Sequence, residues 1–501
     1  MGFQSASLPT KLLSLLLLAI VPSCFTPSVA ALSYQTLNHQ SNYNISRPPI
    51  VADVAPLPGK EIILIGSGLN QAHQITILAL QNEALSVVDE FAIGKNYFAV
   101  DVLESAAEGE VGLFFLARDH VAAYRVPTKA VPDRLSLYSD VHSFYQLGEN
   151  GFLAEIDFIA DLNQDRKADV MLPAMDHFTV WLSGHHELRK HTLPIAAARS
   201  LVRNELEVRP PSVFFKTAEK AKVYEVTQGL ISQYTLSGGV KSLAIKVADD
   251  IHGVNWWDLR DDSGQSPDQS ELSHRVVEDI LDVNGDAIDD LVVRFTTSSG
   301  ALDRRNDYEF YYGSLDDKQQ LSFSSKPNTT IRAEGTLAGL ELIDINQDGK
   351  LEVLVSGFEI GVSQIISALL SGSIAQDVLL YWQDDNGEFG KKPANAFDTE
   401  LRFSLSKGRA GDPLVTLADM DGDKQLDLLL SEGENRISIR PLKAAKQFSA
   451  PLKVNAPFPQ AGSNIVVADL NADGKAELLM AYDKLDAVST RKLLRVLVSK
   501  D

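Results

Sequence analysis

The sequence predicts an all-β protein, a β-propeller of seven or eight four-stranded blades with a short helical insertion in one blade. Three observations point there. One loop motif recurs five times, the spacing between copies suits one small sheet per repeat, and an unpaired strand lies at the far end of the chain from an incomplete last repeat.

The chain has 501 residues and opens on a segment that reads as an export signal. Lys11 precedes the apolar run Leu12 to Val21, Pro22 ends it, and Ser28-Val29-Ala30 offers small residues for a signal peptidase. Residues 1–30 are therefore expected to be a signal peptide cleaved near Ala30, and 31–501 the propeller, secreted or periplasmic. Cys24 in "VPSC" weakly resembles a lipidation box, but Pro22 suits that chemistry poorly. Cys24 is the only cysteine, so the mature chain is expected to hold no disulfide. Beyond the leader nothing has the apolar length of a spanning helix, so no stable membrane insertion is expected.

Formal charge is −21, and removal of Lys11 with the leader makes it −22. An acidic surface repels nucleic acid and anionic lipid, and leaves cations as natural counterparts.

The repeats are "IADLNQDRKADVMLP", "DILDVNGDAIDDLVV", "LIDINQDGKLEVLVS", "LADMDGDKQLDLLLS" and "VADLNADGKAELLMA". Weaker copies begin near Asp53, Asp101 and Phe214, giving eight anchors at 53, 101, 161, 214, 282, 344, 419 and 469. Their spacing of 48 to 75 residues fits four short strands, as "FLAEIDFIA", "ADVMLP", "FTVWLSG" and "RKHTLPI" illustrate around Asp161. After the last loop only three strands follow, whereas "LSYQTLNH" precedes the first repeat. That segment is expected to complete the last blade and cover its edge. Eight blades follow from this count, with seven as the near rival.

In each strong copy, oxygen-bearing residues stand at loop positions one, three, five and nine, and the position-seven carbonyl adds a fifth oxygen. The five candidate sets are Asp161, Asn163, Asp165, Lys167 and Asp169; Asp282, Asn284, Asp286, Ile288 and Asp290; Asp344, Asn346, Asp348, Lys350 and Glu352; Asp419, Asp421, Asp423, Gln425 and Asp427; and Asp469, Asn471, Asp473, Lys475 and Glu477. Hard oxygens with two or more carboxylates suit Ca²⁺, and the absence of His and Cys from the sets argues against Zn²⁺. An EF-hand is excluded because its twelfth position needs an acid, where this chain has Leu172, Val293, Val355, Leu430 or Met480. Turn formation alone explains Asp, Asn and Gly, but not an acid at position nine in every copy.

These loops between strands resemble the FG-GAP, or VCBS, repeats of bacterial secreted proteins and of the integrin α-subunit propeller. The resemblance covers essentially the mature chain, although the Phe-Gly and Gly-Ala-Pro elements behind the family name are largely missing. It implies Ca²⁺ loops that stiffen one rim of the blades, with ligands commonly meeting the opposite face.

Two insertions interrupt the pattern. In 358–375, Val362, Ile365, Ile366, Leu369 and Leu370 fall at helical spacing before Gly372, predicting an amphipathic helix that packs on the propeller or docks a partner. The other carries Trp256 and Trp257, which could stack on a sugar or anchor a protein. "HHELRKH", from His185 to His191, reads as solvated surface. No HExxH, GxSxG or phosphate loop is present. The favoured reading is a monomeric binding or adhesion module for a protein or glycan. The alternative is a polysaccharide-acting hydrolase or lyase built on a propeller, which the abundance of acids leaves open.

Overall fold

The structure is a computed structural model. It describes residues 33–500 apart from 68–72, 104–111, 143–152, 185–186, 203–204, 219, 237–238, 254–271, 300–303, 333–335, 359–371, 405–408, 434 and 444–445. The leader, the expected insertion helix, Trp256, Trp257, His185 and His186 lie outside the described residues.

Several second and third strands are written in unbroken apolar runs, such as "LFFLA" at Leu113–Ala117 and "FTVWL" at Phe178–Leu182, and all ten of these residues are buried. A strand reads this way when both of its faces are covered. Most fourth strands alternate or are polar and stay more exposed, as in Arg189–Leu193 and Val240–Lys246. Together these make eight antiparallel sheets, spanning 50–93, 97–140, 159–193, 213–246, 272–331, 336–404, 415–455 and 465–500, numbered here as blades one to eight.

Blade eight has three strands of its own, Ile465–Ala468, Glu477–Met480 and Leu493–Lys500, and its fourth is Ser33–Gln40 from the other end of the chain. The two ends pair antiparallel over eight positions, from Ser33 opposite Lys500 to Gln40 opposite Leu493. This is the closure expected from the orphan segment.

The buried apolar side chains show that the ring is shut. They gather into eight clusters, each shared by two successive blades, and one joins blade eight to blade one through Leu479, Leu494 and Val496 against Ile62, Leu64 and Leu78. The protein is an eight-bladed propeller, so the rival count of seven falls. Each fully buried Leu, Ile or Phe contributes about 1.5–3 kcal/mol by leaving water, so the seams between blades carry the apolar part of the stability.

The register also places the loops. Ala160 pairs with Asp169, Leu281 with Asp290, Ile343 with Glu352, Ala418 with Asp427 and Ala468 with Glu477. In all five, position nine is the first residue of the second strand, opposite the residue that precedes position one. The five loops are thus equivalent connections on one rim. The predicted EF-hand positions Leu172, Val293, Val355, Leu430 and Met480 are buried strand residues, as the exclusion of that motif requires. Among the described residues no helix is long and apolar enough to cross a membrane.

Two of the weak copies depart from the expected geometry. Asp101 does not open a loop; it lies inside the strand Tyr97–Val102, where its side chain accepts the backbone N–H groups of Phe158 and Ile159, both at 2.7 Å. The copy after Phe214 pairs Lys216 with Lys222, which leaves a shorter connection of 217–221.

Candidate metal centres

Each strong loop is curled by its own side chains. The position-one carboxylate accepts the N–H of position six, from Arg166, Ala287, Gly349, Lys424 and Gly474, at 2.7–3.0 Å. Position three accepts the N–H of position five, and position five that of position seven, at 2.8–3.2 Å. Side chains at one, three and five are drawn inward by local hydrogen bonds that Asp and Asn readily make. In the most acidic copy, ligand oxygens of Asp419, Asp421 and Asp423 lie within 4.8 Å of one another.

The curl requires left-handed backbone at positions four and six in every copy: Gln164 and Arg166, Gly285 and Ala287, Gln347 and Gly349, Gly422 and Lys424, Ala472 and Gly474, with φ between 60° and 86°. Glycine adopts this region without penalty, and other residues are held there at a cost. Only the loop of blade three has no glycine at either place.

Position nine behaves differently from the other ligands. Asp169, Asp290, Glu352, Asp427 and Glu477 are 0–1% exposed. One oxygen of each accepts the N–H of position two, from Leu162, Val283, Ile345, Met420 and Leu470, at 2.7–3.1 Å. Where the residue is Asp, the second oxygen accepts another backbone N–H, from Ser183, Gly313 or Leu442, just beyond the third strand. Where it is Glu, the longer side chain leaves Oε1 of Glu352 and of Glu477 buried without a hydrogen-bond partner, and Asp469 Oδ1 beside Glu477 is in the same state. Burial, opposed by the backbone hydrogen bonds and reinforced by the neighbouring loop carboxylates, pushes Asp169 and Asp290 up to about 6 and Glu352, Asp427 and Glu477 up to about 7.

Buried carboxylate oxygens without partners are costly, and a bound cation removes that cost. The donor set therefore fits Ca²⁺, best at 469–477 and 344–352, where those oxygens are free, and at 419–427, where three carboxylates converge. It fits least at 161–169, because Ser183 Oγ lies 2.8 Å from Asp165 Oδ1 and 2.7 Å from Asp169 Oδ1, so one hydroxyl already serves both carboxylates.

The sequence reading missed Ser183, and it missed how the weak copies keep their place on the rim. In blade one, Ala52 pairs with Glu61, so Glu61 stands at position nine; its Oε2 accepts Val54 and Ala55 N–H at 2.8 and 3.0 Å. The acid survives there although Ala55 and Leu57 replace the ligands. In blade four, position nine is Lys222, whose ammonium reaches across to buried Asp289 of the next loop at 2.7 Å, with Tyr224 Oη at 2.6 Å and Lys216 at 3.6 Å. Burial alone would raise the Asp289 carboxyl, but Lys222, Tyr224 and Lys216 outweigh it and hold it below the usual range. Asp289 had offered a signal: it is an acid at position eight, where the other copies have Ala168, Leu351, Leu426 and Ala476.

The insertion that carries Trp256 and Trp257 is fixed at its base. Ile251–His252 runs parallel to Arg275–Val276, and Arg275 joins Asp250 at 2.5 Å and Glu309 at 2.8 Å.

Residues 419–480 match the family model of the FG-GAP-like repeat. The chain carries an FG-GAP-like repeat. The matched stretch spans the loops of blades seven and eight, and the repeat's connection recurs in the same register in blades three, five and six. No curated protein matches the sequence. Among solved structures the chain is similar to the WD40 domain of SCAP from fission yeast, at 8% identity and a TM-score of 0.35, covering 93% of this chain and 98% of that one. It is also similar to candidate 6-phosphogluconolactonases from Bacteroides uniformis (10% identity, TM-score 0.34, 79% and 96% covered) and Bacteroides fragilis (11%, 0.35, 86% and 96%). Likeness at this level adds nothing to the blades traced above.

Proposed function

We propose that this FG-GAP-repeat propeller is a calcium-stabilised binding module that works outside the cytoplasm and engages a protein or glycan partner. The observation that carries the calcium part is the buried, unpartnered pair Glu477 Oε1 and Asp469 Oδ1 inside a loop already curled to present Asn471 and Asp473. Such oxygens are stabilised by a hard divalent cation, and bound cations would offset much of the charge of −22 carried by the mature chain. Ca²⁺ here supplies charge and coordination that stiffen the rim. The chain's own residues hold the loop shape and staple position nine to the sheet.

A binding role agrees with the geometry: the acids of the five strong loops are committed to hydrogen bonds within those loops, while a rigid ring presents its connections to partners. An export signal read from residues 1–30 supports an extracytoplasmic setting, where free Ca²⁺ is abundant enough for sites of about 10⁻⁴–10⁻³ M. The test is a glycan array probed with the protein in millimolar Ca²⁺ and again in chelator. Retained glycan without turnover, lost in chelator, is the expected result. Product release from a polysaccharide overturns the reading in favour of an enzyme, and silence on every glycan restricts the partner to protein.

A further inference from the structure

We infer that calcium loading of the loops in blades five to eight is coupled from one loop to the next, whereas the loop of blade three fills independently. This rests on the reading of the loops as calcium sites, for which the buried unpartnered oxygens Glu352 Oε1, Glu477 Oε1 and Asp469 Oδ1 speak separately from the acidic clusters themselves.

The four loops at 282–290, 344–352, 419–427 and 469–477 belong to consecutive blades, and each touches the next in a repeated way. The position-eight N–H of one loop donates to a carbonyl at position one or two of the loop before it: Leu351 to Val283 O at 3.0 Å, Leu426 to Ile345 O at 3.2 Å, and Ala476 to Asp419 O at 2.8 Å. Those carbonyls lie beside the ligand at position one, and the donors lie beside the ligand at position nine. Ordering one loop around a cation therefore orients the acceptor that holds the neighbour's last ligand.

A second contact repeats between positions four and six, the two left-handed residues. Gln347 Nε2 donates to Lys424 O at 2.7 Å, and a Cβ on Gly285 would meet Gly349 O at 2.7 Å. Gly422 stands in the same relation to the following loop, 3.9 Å from Gly474 O by the same construction. The residues that must be held in left-handed backbone for the curl are thus the ones in contact between loops. Curling one loop favours curling the next.

The loop at 161–169 is followed by a connection that lacks the ligand set. Its position-two carbonyl, Leu162 O, accepts Ala218 N–H at 3.0 Å from the connection 217–221. A cation there has no neighbouring calcium loop to bias on that side.

Coupling between adjacent sites commonly amounts to about fivefold or more in affinity. The test is a Ca²⁺ titration of the full chain read by hydrogen–deuterium exchange in peptides covering each loop. In the wild type, the loops of blades five to eight are expected to gain protection over a steeper Ca²⁺ range than a single independent site, and 161–169 over that of a single site. In Asp421→Asn/Asp423→Asn, the midpoints of 344–352 and 469–477 are expected to rise about fivefold or more, with 161–169 unmoved. Gln347→Ala retains every ligand and is expected to raise the 344–352 and 419–427 midpoints by a smaller factor. Unmoved midpoints at 344–352 and 469–477 in the double variant overturn the coupling while leaving calcium binding intact. If the double variant does not fold, single-site steepness in all wild-type loops overturns it alone. Absence of any calcium-dependent protection refutes the underlying reading of the loops as metal sites.

Discussion

The junction between blades four and five and the junctions between blades five and eight meet the same need by opposite means. At the first, Lys222 brings a side-chain ammonium to Asp289, and Tyr224 completes the shell, so the buried acid has its counter-charge built into the chain. At the others, position nine is an acid, its neighbours are acids, and in blades six and eight a buried oxygen is left without a partner. A rim can be neutralised by a covalently attached cation or by one taken from solution. The difference teaches that the weak copy in blade four is a self-sufficient connection and not merely a decayed one. The two kinds of junction should accordingly respond to different perturbations.

The largest expected effect comes from chelation. A cation that binds only the folded state stabilises it by RT ln(1 + [L]/Kd), about 1.4 kcal/mol for each site at ten times its Kd. Several loops together should shift the melting temperature by roughly 10 °C between millimolar Ca²⁺ and chelator. Mg²⁺, with its stricter octahedral demand, is expected to recover little of it. A melting curve identical in chelator would erase the contrast between the two kinds of junction.

Next in size is Lys222→Met. It leaves Asp289, 3% exposed, without its closest cation, and breaking one partner of a buried pair costs about 3–5 kcal/mol. Because Lys222 is about a third exposed and Lys216 stays within 3.6 Å, about 2–3 kcal/mol is expected, measured by denaturant unfolding. The calcium-dependent gain should remain as in the wild type. A loss that Ca²⁺ restores would mean that this junction, too, depends on a cation from solution.

Glu61 sharpens the comparison from a third side, since it keeps the position-nine acid without the ligands. Burial pushes it up to about 7, against an ordinary value of 4.5. The folded state therefore binds its proton more tightly than the unfolded state does. The stability from this group is complete below pH 4.5 and is lost as pH rises through 7. Glu61→Gln cannot ionise, so its stability relative to wild type should improve by on the order of 2 kcal/mol between pH 4.5 and pH 8. Parallel pH profiles for the two proteins would refute the assignment.

The smallest effect concerns strain. In the loop of blade three Gln164 and Arg166 both adopt φ of 62°. Arg166→Gly, which installs the residue found at position six in Gly349 and Gly474, should stabilise by about 1 kcal/mol in thermal melts. The reverse change, Gly474→Ala, should cost a similar amount.

Much of the fold and of the candidate site was legible because it is local. The nine-residue loops, the strands around them and the pairing of Ser33–Gln40 with Leu493–Lys500 follow from apolar runs, turn residues and an edge that must be covered. The inward turn of positions one, three and five is likewise encoded within the loop, since Asp and Asn bond backbone N–H groups a few residues away. What only the tertiary structure decided is mostly between blades: eight blades and not seven, the partnership of Lys222 with Asp289 sixty-seven residues away, and the contacts that join the loops of blades five to eight; within blade three it also brought the Ser183 hydroxyl to Asp165 and Asp169. Asp and Glu look interchangeable at position nine in the sequence, yet Asp spends both oxygens on backbone N–H groups and Glu leaves one bare. That distinction depends on where the exit of the third strand stands relative to the loop, a contact made within each blade only once its strands are paired.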